Sequence, residues 1–461
     1  MLNESSTVQE LLTEIRTQKE RLISEKKIKK ARSLPCITDD EKPFEIPSTW
    51  KWVRLGEVLQ IINGDRGKNY PSKKELHETG DIPFISALNI NDDTISTEQL
   101  LYVDKKRYDI LRSGKLKKGD LVLCIRGSLG KNCRYPFETG AIASSLVIIR
   151  SYLKIDFIYD YMAYYLNSLL FKEEMSQYDN GTAQPNLGAR DLSLFAVPLP
   201  PLAEQQRIVA RVKSLFAKLD AAKAKVQSVL DAHEARKAAL LHDAFTGKLT
   251  AKWRKEYGVT SDSWYTDTLK NLCEKITDGT HHSPPNSDKG DYMYVTAKNI
   301  KETGIELDNI TYVSSAVHEE IYKRCDVQKG DVLYIKDGAT TGIATVNTLD
   351  EPFSLLSSVA VLRPHEERLL SGYLKHLLNS SEQKSKMINN MSGNAITRLT
   401  LSKLKETSIK VCSLAEQQEI VRILDRLLGR EEQVRQSAES VLETIDRMKQ
   451  SILARAFRGE L

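Results

Sequence analysis

The 461-residue sequence has no Cys-x-x-Cys pair, no run of eighteen apolar residues and no apolar stretch near its N-terminus. Its six cysteines, Cys36, Cys124, Cys133, Cys273, Cys325 and Cys412, are scattered without a framework. That pattern excludes a disulfide scaffold, argues against a zinc site, and fits buried free thiols in a reducing compartment. Without an apolar leader or span, neither secretion nor membrane insertion is expected, and the reading is a cytoplasmic protein. Strong charge is also missing. A net charge of +5 leaves a polyanionic partner only weakly indicated and suits an ordinary soluble protein equally well.

Recognisable catalytic chemistry is the next absence. Gly127-Ser128-Leu129-Gly130-Lys131-Asn132 has neither the spacing nor the Ser/Thr of a phosphate loop, and Gly247-Lys248-Leu249 fails likewise. Ser283-Pro284-Pro285-Asn286 superficially resembles the polar-Pro-Pro-aromatic tetrapeptide that holds a flipped base, but lacks the aromatic that would stack on it, and reads as a loop. His281-His282 is the only histidine pair, with no carboxylate or cysteine at a ligand-like interval. Contact with DNA suits these imidazoles better than a metal or general-base role. No glycine-rich methyl-donor site follows a strand, and no nuclease carboxylate-lysine cluster is present.

What is present is a duplication. Leu202-Ala203-Glu204-Gln205-Gln206 recurs as Leu414-Ala415-Glu416-Gln417-Gln418, and each copy opens a long heptad-patterned segment that closes on Ala-Phe-x-Gly-x-Leu. Leu202 and Leu414, Ile208 and Ile420, Leu215 and Leu427, Phe245 and Phe457, and Leu249 and Leu461 are all 212 positions apart. An insertion would shift everything beyond it by 1.5 Å and 100° per residue, so a constant step reads as a ruler.

Seam positions in the first copy are Ile208, Val212, Leu215, Leu219, Ala222, Val226 and Val229, then His233, Arg236 and Leu240. In the second they are Ile420, Leu424, Leu427, Glu431, Val434, Ala438, Val441, Ile445, Met448 and Ile452. This is a coiled-coil seam with polar interruptions, a device that fixes partner and register. The two helices are expected to pair with each other. Antiparallel pairing would put a globular unit at each end of a rod that, at about forty residues, is about 60 Å long.

The remaining chain divides around these helices. Residues 1–35 carry an amphipathic helix from about Thr7 to Arg32, basic in its later part. A solvated face is the first reading of that charge, and contact with DNA phosphate or a partner subunit the alternative. Pro35, Pro43 and Pro47 mark a linker. Residues 36–200 and 251–410 read as two domains of short strands and polar turns, joined to helical segments at 201–250 and 411–461.

The two domains share landmarks in order. Gly80-Asp81 to Asn89-Ile90 resembles Gly290-Asp291 to Asn299-Ile300, and Lys118-Gly119-Asp120 matches Lys329-Gly330-Asp331 before a strand. Each then reaches a glycine-bearing loop, Arg126 to Gly130 and Asp337 to Gly342. Helical stretches at 157–175 and 373–388 precede loops around Gly181-Thr182-Ala183 and Gly393-Asn394-Ala395. The fold class is α+β: a pseudo-twofold tandem repeat of two β-rich mixed domains, separated by two long antiparallel coiled-coil helices.

Taken together, the paired Leu-Ala-Glu-Gln-Gln openings, the Ala-Phe-Thr-Gly-Lys-Leu and Ala-Phe-Arg-Gly-Glu-Leu closings, Ile46-Pro47-x-x-Trp50, Ile276-Thr277-Asp278-Gly279-Thr280-His281 and both Gly-Asp to Asn-Ile strands resemble the specificity subunit of type I restriction-modification systems. The resemblance covers nearly the whole chain. It implies two target recognition domains that each read half of an asymmetric bipartite sequence in double-stranded DNA, held apart by the helices. It implies a non-catalytic scaffold for two modification (methyltransferase) subunits and two restriction (motor-nuclease) subunits. S-adenosylmethionine, ATP and magnesium would then reside on those partners, with no cofactor in this chain and no membrane association.

The chain departs from the simplest layout of that family in its extension before Trp50, and in reaching Leu461 without a counterpart of Thr250-Ala251-Lys252-Trp253-Arg254. The extension is expected to help complete the helical platform near the chain ends. Candidate base or phosphate contacts in the first domain are Asn63, Arg66, Lys68, Ser86, Asn89, Arg126, Ser128 and Lys131, Arg being suited to bidentate contact with guanine. In the second they are Thr277, Asp278, Thr280, His281, Lys298, Asn299, Lys336 and Thr340. Gln184, Asn186, Asn394 and Arg398 are later-loop options. The rival readings are a single-chain nuclease or methyltransferase and a coiled-coil adaptor without nucleic-acid recognition.

Overall fold

The structure is a computed structural model that describes residues 6–30, 32–91, 94–178, 186–260, 263–389 and 399–461. It contains two compact units, Met1–Lys225 with Val441–Leu461, and Val226–Ser440.

The first unit carries a four-stranded antiparallel sheet in the order Asn132–Arg134, Leu121–Cys124, Leu146–Ser151, Leu59–Asn63. A five-stranded sheet contains the one parallel pair among this unit's described strands, Thr139–Ile142 beside Ile82–Ile85. Strand Lys51–Arg54 pairs with Ala196–Leu199 and so ties the start of the domain to its end. Leu121 to Cys124 and Leu146 to Ile149 are fully buried, as expected of central strands covered on both faces.

The second unit repeats this plan. Its four-stranded sheet runs Ala344–Val346, Val332–Ile335, Val359–Pro364, Cys273–Asp278. Tyr265–Thr268 pairs with Ser408–Val411, the counterpart of the terminal pair in the first unit.

The helical stretches expected at 157–175 and 373–388 are each two helices. Asp156–Leu166 and Leu169–Ser176 break at Ser168, and Ser371–Asn379 and Ser381–Asn389 break at Ser380. In both, the serine hydroxyl donates to a carbonyl of the ending helix, at 2.6 and 2.7 Å, and accepts from the amide three residues on, at 3.3 Å. A side chain that satisfies groups on both helices stabilises the break.

The repeated motif also has a physical basis. Gln205 and Gln417 are fully buried. Their Nε2 groups donate at 2.9 Å to the carbonyls of Pro200 and Cys412, locking each helix start onto the strand before it. At the far ends Gly247 and Gly459 both adopt φ +78°, the left-handed cap that glycine tolerates best. Phe457 meets Tyr161 edge to face at 5.3 Å in the first unit, and Phe245 meets Tyr373 in the same way at 5.3 Å in the second. Each unit therefore contains the start of one long helix and the end of the other.

The C-terminal helix, Leu414–Arg458, is continuous. The central segment is not the single helix expected over 201–250: it is Leu202–Asp231 and His233–Phe245, with a turn at Ala232. Beside that turn Arg236 Nη2 takes the Val229 carbonyl at 3.1 Å. Within the first unit Lys223 Nζ lies 3.4 Å from Asp446 and Lys449 Nζ 2.6 Å from Asp220, so the paired segments run antiparallel. The seam is narrower than its pattern. Ala438 and Ile445 are buried, whereas Val434, Val441 and Met448 are exposed.

The N-terminal helix spans Val8–Ser24 and stops short of Arg32. Lys26 takes a left-handed φ of 54°, and Lys26 and Lys27 donate their amides to the carbonyls of Ile23 and Leu22, a Schellman closure. Val8, Leu11 and Ile15 enter the same core as Leu453, Ala456 and Phe457. The proline-marked segment is docked as well. The buried Arg54 guanidinium donates to the carbonyls of Pro35 and Cys36, both at 3.1 Å, to that of Leu194 at 2.6 Å, and to the Glu41 carboxylate at 2.8 Å. This pairing holds the Glu41 carboxyl down at about 2. Among the described residues no disulfide forms; five cysteines are buried, but Cys36 is exposed.

Candidate nucleic-acid interface

In the first unit the glycine loop after Leu121–Cys124 is shaped by left-handed Gly127 and Gly130, and closed by Cys124 N–H to Lys131 O at 2.7 Å. Ser128 and Lys131 are exposed on it. Arg126 is held at the base of the loop, where its Nε donates to Asn186 Oδ1 at 2.7 Å. Two candidates 60 residues apart in sequence thus share one site. Asn63, at the end of its strand, is exposed and accepts the Ser113 hydroxyl on its carbonyl at 2.6 Å. Arg66 and Lys68 flank left-handed Gly67 on an exposed turn.

Asn89 has a different role. It is buried, and its Oδ1 accepts the Ser86 amide and hydroxyl, both at 2.9 Å. Asn299 does the same for Thr296, at 3.0 and 3.1 Å, and adds a bond to the Glu306 carbonyl. These two asparagines build turns. Their neighbour Lys298 is exposed on the turn of the second unit.

The second unit brings Asp278, His281 and Lys336 together. Asp278 is only 2 % exposed. It pairs with Arg324, with Lys336 Nζ at 3.5 Å and with His281 Nε2 at 3.6 Å. Lys336, also buried, has a second carboxylate in Asp337 at 2.8 Å. Thr277 is half-buried on the strand, Thr280 bridges to Leu356, and Thr340 is exposed on the turn that follows Asp337. Gln184, Asn394 and Arg398 lie outside the described residues.

A cleft of about 420 Å³ opens beside this cluster's strands, lined by Ser283, Asn286, Tyr294, Lys298 and Ser358 among others. The Tyr294 and Ser358 hydroxyls are buried there without a hydrogen-bond partner among the described residues, and burial pushes the Tyr294 hydroxyl up to about 12. Such groups favour a ligand that brings its own donors and acceptors. Ser283-Pro284-Pro285-Asn286 is the loop on its rim, with Asn286 donating to the Pro284 carbonyl at 2.9 Å.

Sequence reasoning missed Arg324, Tyr294 and Ser358. Arg324 lies 46 residues from Asp278, at the end of helix Ser315–Arg324. No local spacing marks it. Among the described residues no helix is long and apolar enough to cross a membrane, and no group of three or more potential metal-ligating side chains occurs.

Comparison with known proteins gives these sites a context. A family model described as the type I restriction modification DNA specificity domain matches residues 47–230 and again 261–440. The chain is 24% identical to the type I restriction enzyme EcoKI specificity subunit of Escherichia coli (strain K12), with 90% of each chain covered. It is 24% identical to the StySPI specificity subunit of Salmonella potsdam, again with 90% of each covered. Among solved structures, a chain from a study of type I R-M system assembly and conformational transition aligns at a TM-score of 0.70 and 20% identity, covering 91% of this chain and 100% of that one. The HsdS subunit from Thermoanaerobacter tengcongensis aligns at 0.52 and 19%, with the same coverage.

Proposed function

Since this chain belongs to the type I restriction modification DNA specificity family, we propose that it reads an asymmetric, two-part DNA target and scaffolds the subunits that act on it. Residues 36–200 and 251–410 are the two readers. Segments 201–250 and 411–461 supply the paired helices that set the unread spacer between the half-sites.

One observation carries this reading: two matched domains with the same four-stranded order hold opposite chemistry at equivalent loop positions. Strand register pairs Leu121 with Ile149 in one and Val332 with Leu362 in the other, which aligns Arg126 with Asp337 just beyond the strand ends. A shared frame with divergent loops suits readers of two different sequences, because groove contacts carry the sequence information while Lys and Arg on phosphate only position the protein.

The chain itself is assigned no catalysis. Adenine methylation with S-adenosylmethionine belongs to two modification subunits, and ATP- and magnesium-dependent translocation and cleavage to two restriction subunits, in the cytoplasm. Gel shift with the modification partner is expected to show salt-sensitive binding to one bipartite sequence. Equal affinity for all sequences would overturn the assignment, and mapping methylated adenines in a host genome identifies the target.

A further inference from the structure

Aligning the two units by strand register exposes a substitution of buried chemistry. Val147 pairs with Asn63 in the first unit, and Ala360 pairs with Asp278 in the second. Ile125 donates its amide to Ser145, and Lys336 donates to Ser358, both at 2.9 Å. The first unit thus places neutral Asn63 and apolar Ile125 where the second buries Asp278 and Lys336. Burying two charges carries a desolvation cost that the uncharged residues of the first unit avoid, so the fold alone does not demand them.

What the charges do is visible in their partners. Asp278 is almost fully covered, yet the Arg324 side chain it grips is half exposed. Arg324 Nη2 also lies 3.0 Å from His281 Nε2, and since a guanidinium only donates, the imidazole accepts on that nitrogen. His281 is 54 % exposed. Lys336 supplies a counter-charge to Asp278 from beneath without competing for the surface, because it is itself buried and also pairs with Asp337. The arrangement is a fixed buried anchor with a planar cationic fork outside it.

We infer that Arg324 is a specificity-determining residue of the second reader, making a bidentate contact to guanine, and that Asp278 is the positioning residue that holds it. This inference rests on the DNA-recognition role proposed above. The guanidinium carries five donors in a fixed plane; Asp278 keeps one Nη2 proton, and when guanine takes the other in place of His281, Nη2 and a neighbouring nitrogen face its O6 and N7 acceptors as a fork. Holding that plane from behind lowers the entropy lost on contact. Asp278, a base-contact candidate by sequence, therefore acts from beneath the surface.

The test uses the full chain assembled with its modification partner and a duplex library randomised in both half-sites. Wild type is expected to select a two-part sequence. Arg324→Ala is expected to lose preference for guanine at one base pair of one half-site by roughly five- to 150-fold, the range for a bidentate contact. The other half-site should stay unchanged. Arg324→Lys should not restore the preference, for want of the planar fork. Asp278→Asn should weaken selection at that same base pair only, a change that a purely structural role would not confine to one position. An unchanged motif in Arg324→Ala overturns the inference, as does a uniform loss across all sequences with a shallower salt dependence, the mark of a phosphate contact. A wild type that selects no sequence overturns the proposed function instead, which keeps the two failures distinct.

Discussion

Arg236 Nε donates to Glu431 Oε2 at 2.8 Å, across 195 residues of sequence. Each looks like a flaw in its own heptad seam, and the structure makes the two flaws one contact. His233 Nδ1 lies 3.6 Å from the same carboxylate oxygen. A polar pair in an apolar seam selects one alignment, because any slip would leave charge against hydrocarbon. Glu431→Ala is expected to destabilise the protein by about 1–2 kcal/mol, the range for a partly covered charged hydrogen bond. A double-mutant cycle with Arg236→Ala, read by urea denaturation, checks this; additive losses would show that the pair is not coupled.

The antiparallel register makes the spacing role of the helices testable by insertion. Four residues added within 224–229 of the central helix alone would keep the contacts of Lys223 with Asp446 and of Asp220 with Lys449 but shift the helix beyond them by four residues against its partner. Matched four-residue insertions, the second within 440–445, should keep the pairing. They are expected to lengthen the spacer by about 6 Å, close to two base pairs, while the bases read in each half-site stay the same. Methylome mapping of the variant gives the spacing, and an unchanged spacer would remove the helices from that role.

Phe457 is buried against Tyr161 and Tyr165. Phe457→Ala is expected to cost about 3–5 kcal/mol, with the loss in the first unit. Hydrogen exchange resolved by segment should show faster exchange in the terminal turns of the C-terminal helix, and unaltered protection there would contradict this docking.

Burial pushes the Glu174 carboxyl up to about 7, against an ordinary value of 4.5. Its oxygens accept the Ala196 amide at 3.1 and 3.2 Å. Because the folded protein holds this proton more tightly than the unfolded chain, the associated stability is full below about pH 4.5 and is lost as pH rises through about 7. Glu174→Gln keeps an acceptor for Ala196 and never ionises. It should raise the melting temperature at pH 8 and leave it nearly unchanged at pH 4; equal effects at both values would refute the assignment.

Lys26 closes the N-terminal helix at φ 54°. A side chain in that region costs roughly 1–2 kcal/mol that glycine avoids. Lys26→Gly should therefore stabilise the first unit, part of the gain being offset by the greater freedom of unfolded glycine. Thermal melts of the two proteins decide the sign.

By itself the sequence determined the duplication, the two long helical segments and the α+β class, because these depend on periodicity and on motifs that act locally; it did not show the break at Ala232. Gln205 ties its own helix start to the Pro200 carbonyl just before it and Gly247 closes its own helix end, so their spacing is legible locally. The polar loop candidates were also legible as residue types. Their roles were not: Asn89 and Asn299 fold inward to build turns, while Arg126 and Asn186 meet across 60 residues. Arg324 was invisible because it ends a helix 46 residues away from the strand that carries its partner Asp278. The basic stretch after Ser24 continued a helical pattern, yet backbone closure at Lys26 ended the helix. Only the tertiary structure decided which charges are buried and which side chains they aim outward, since desolvation and pairing depend on neighbours that local sequence does not bring together.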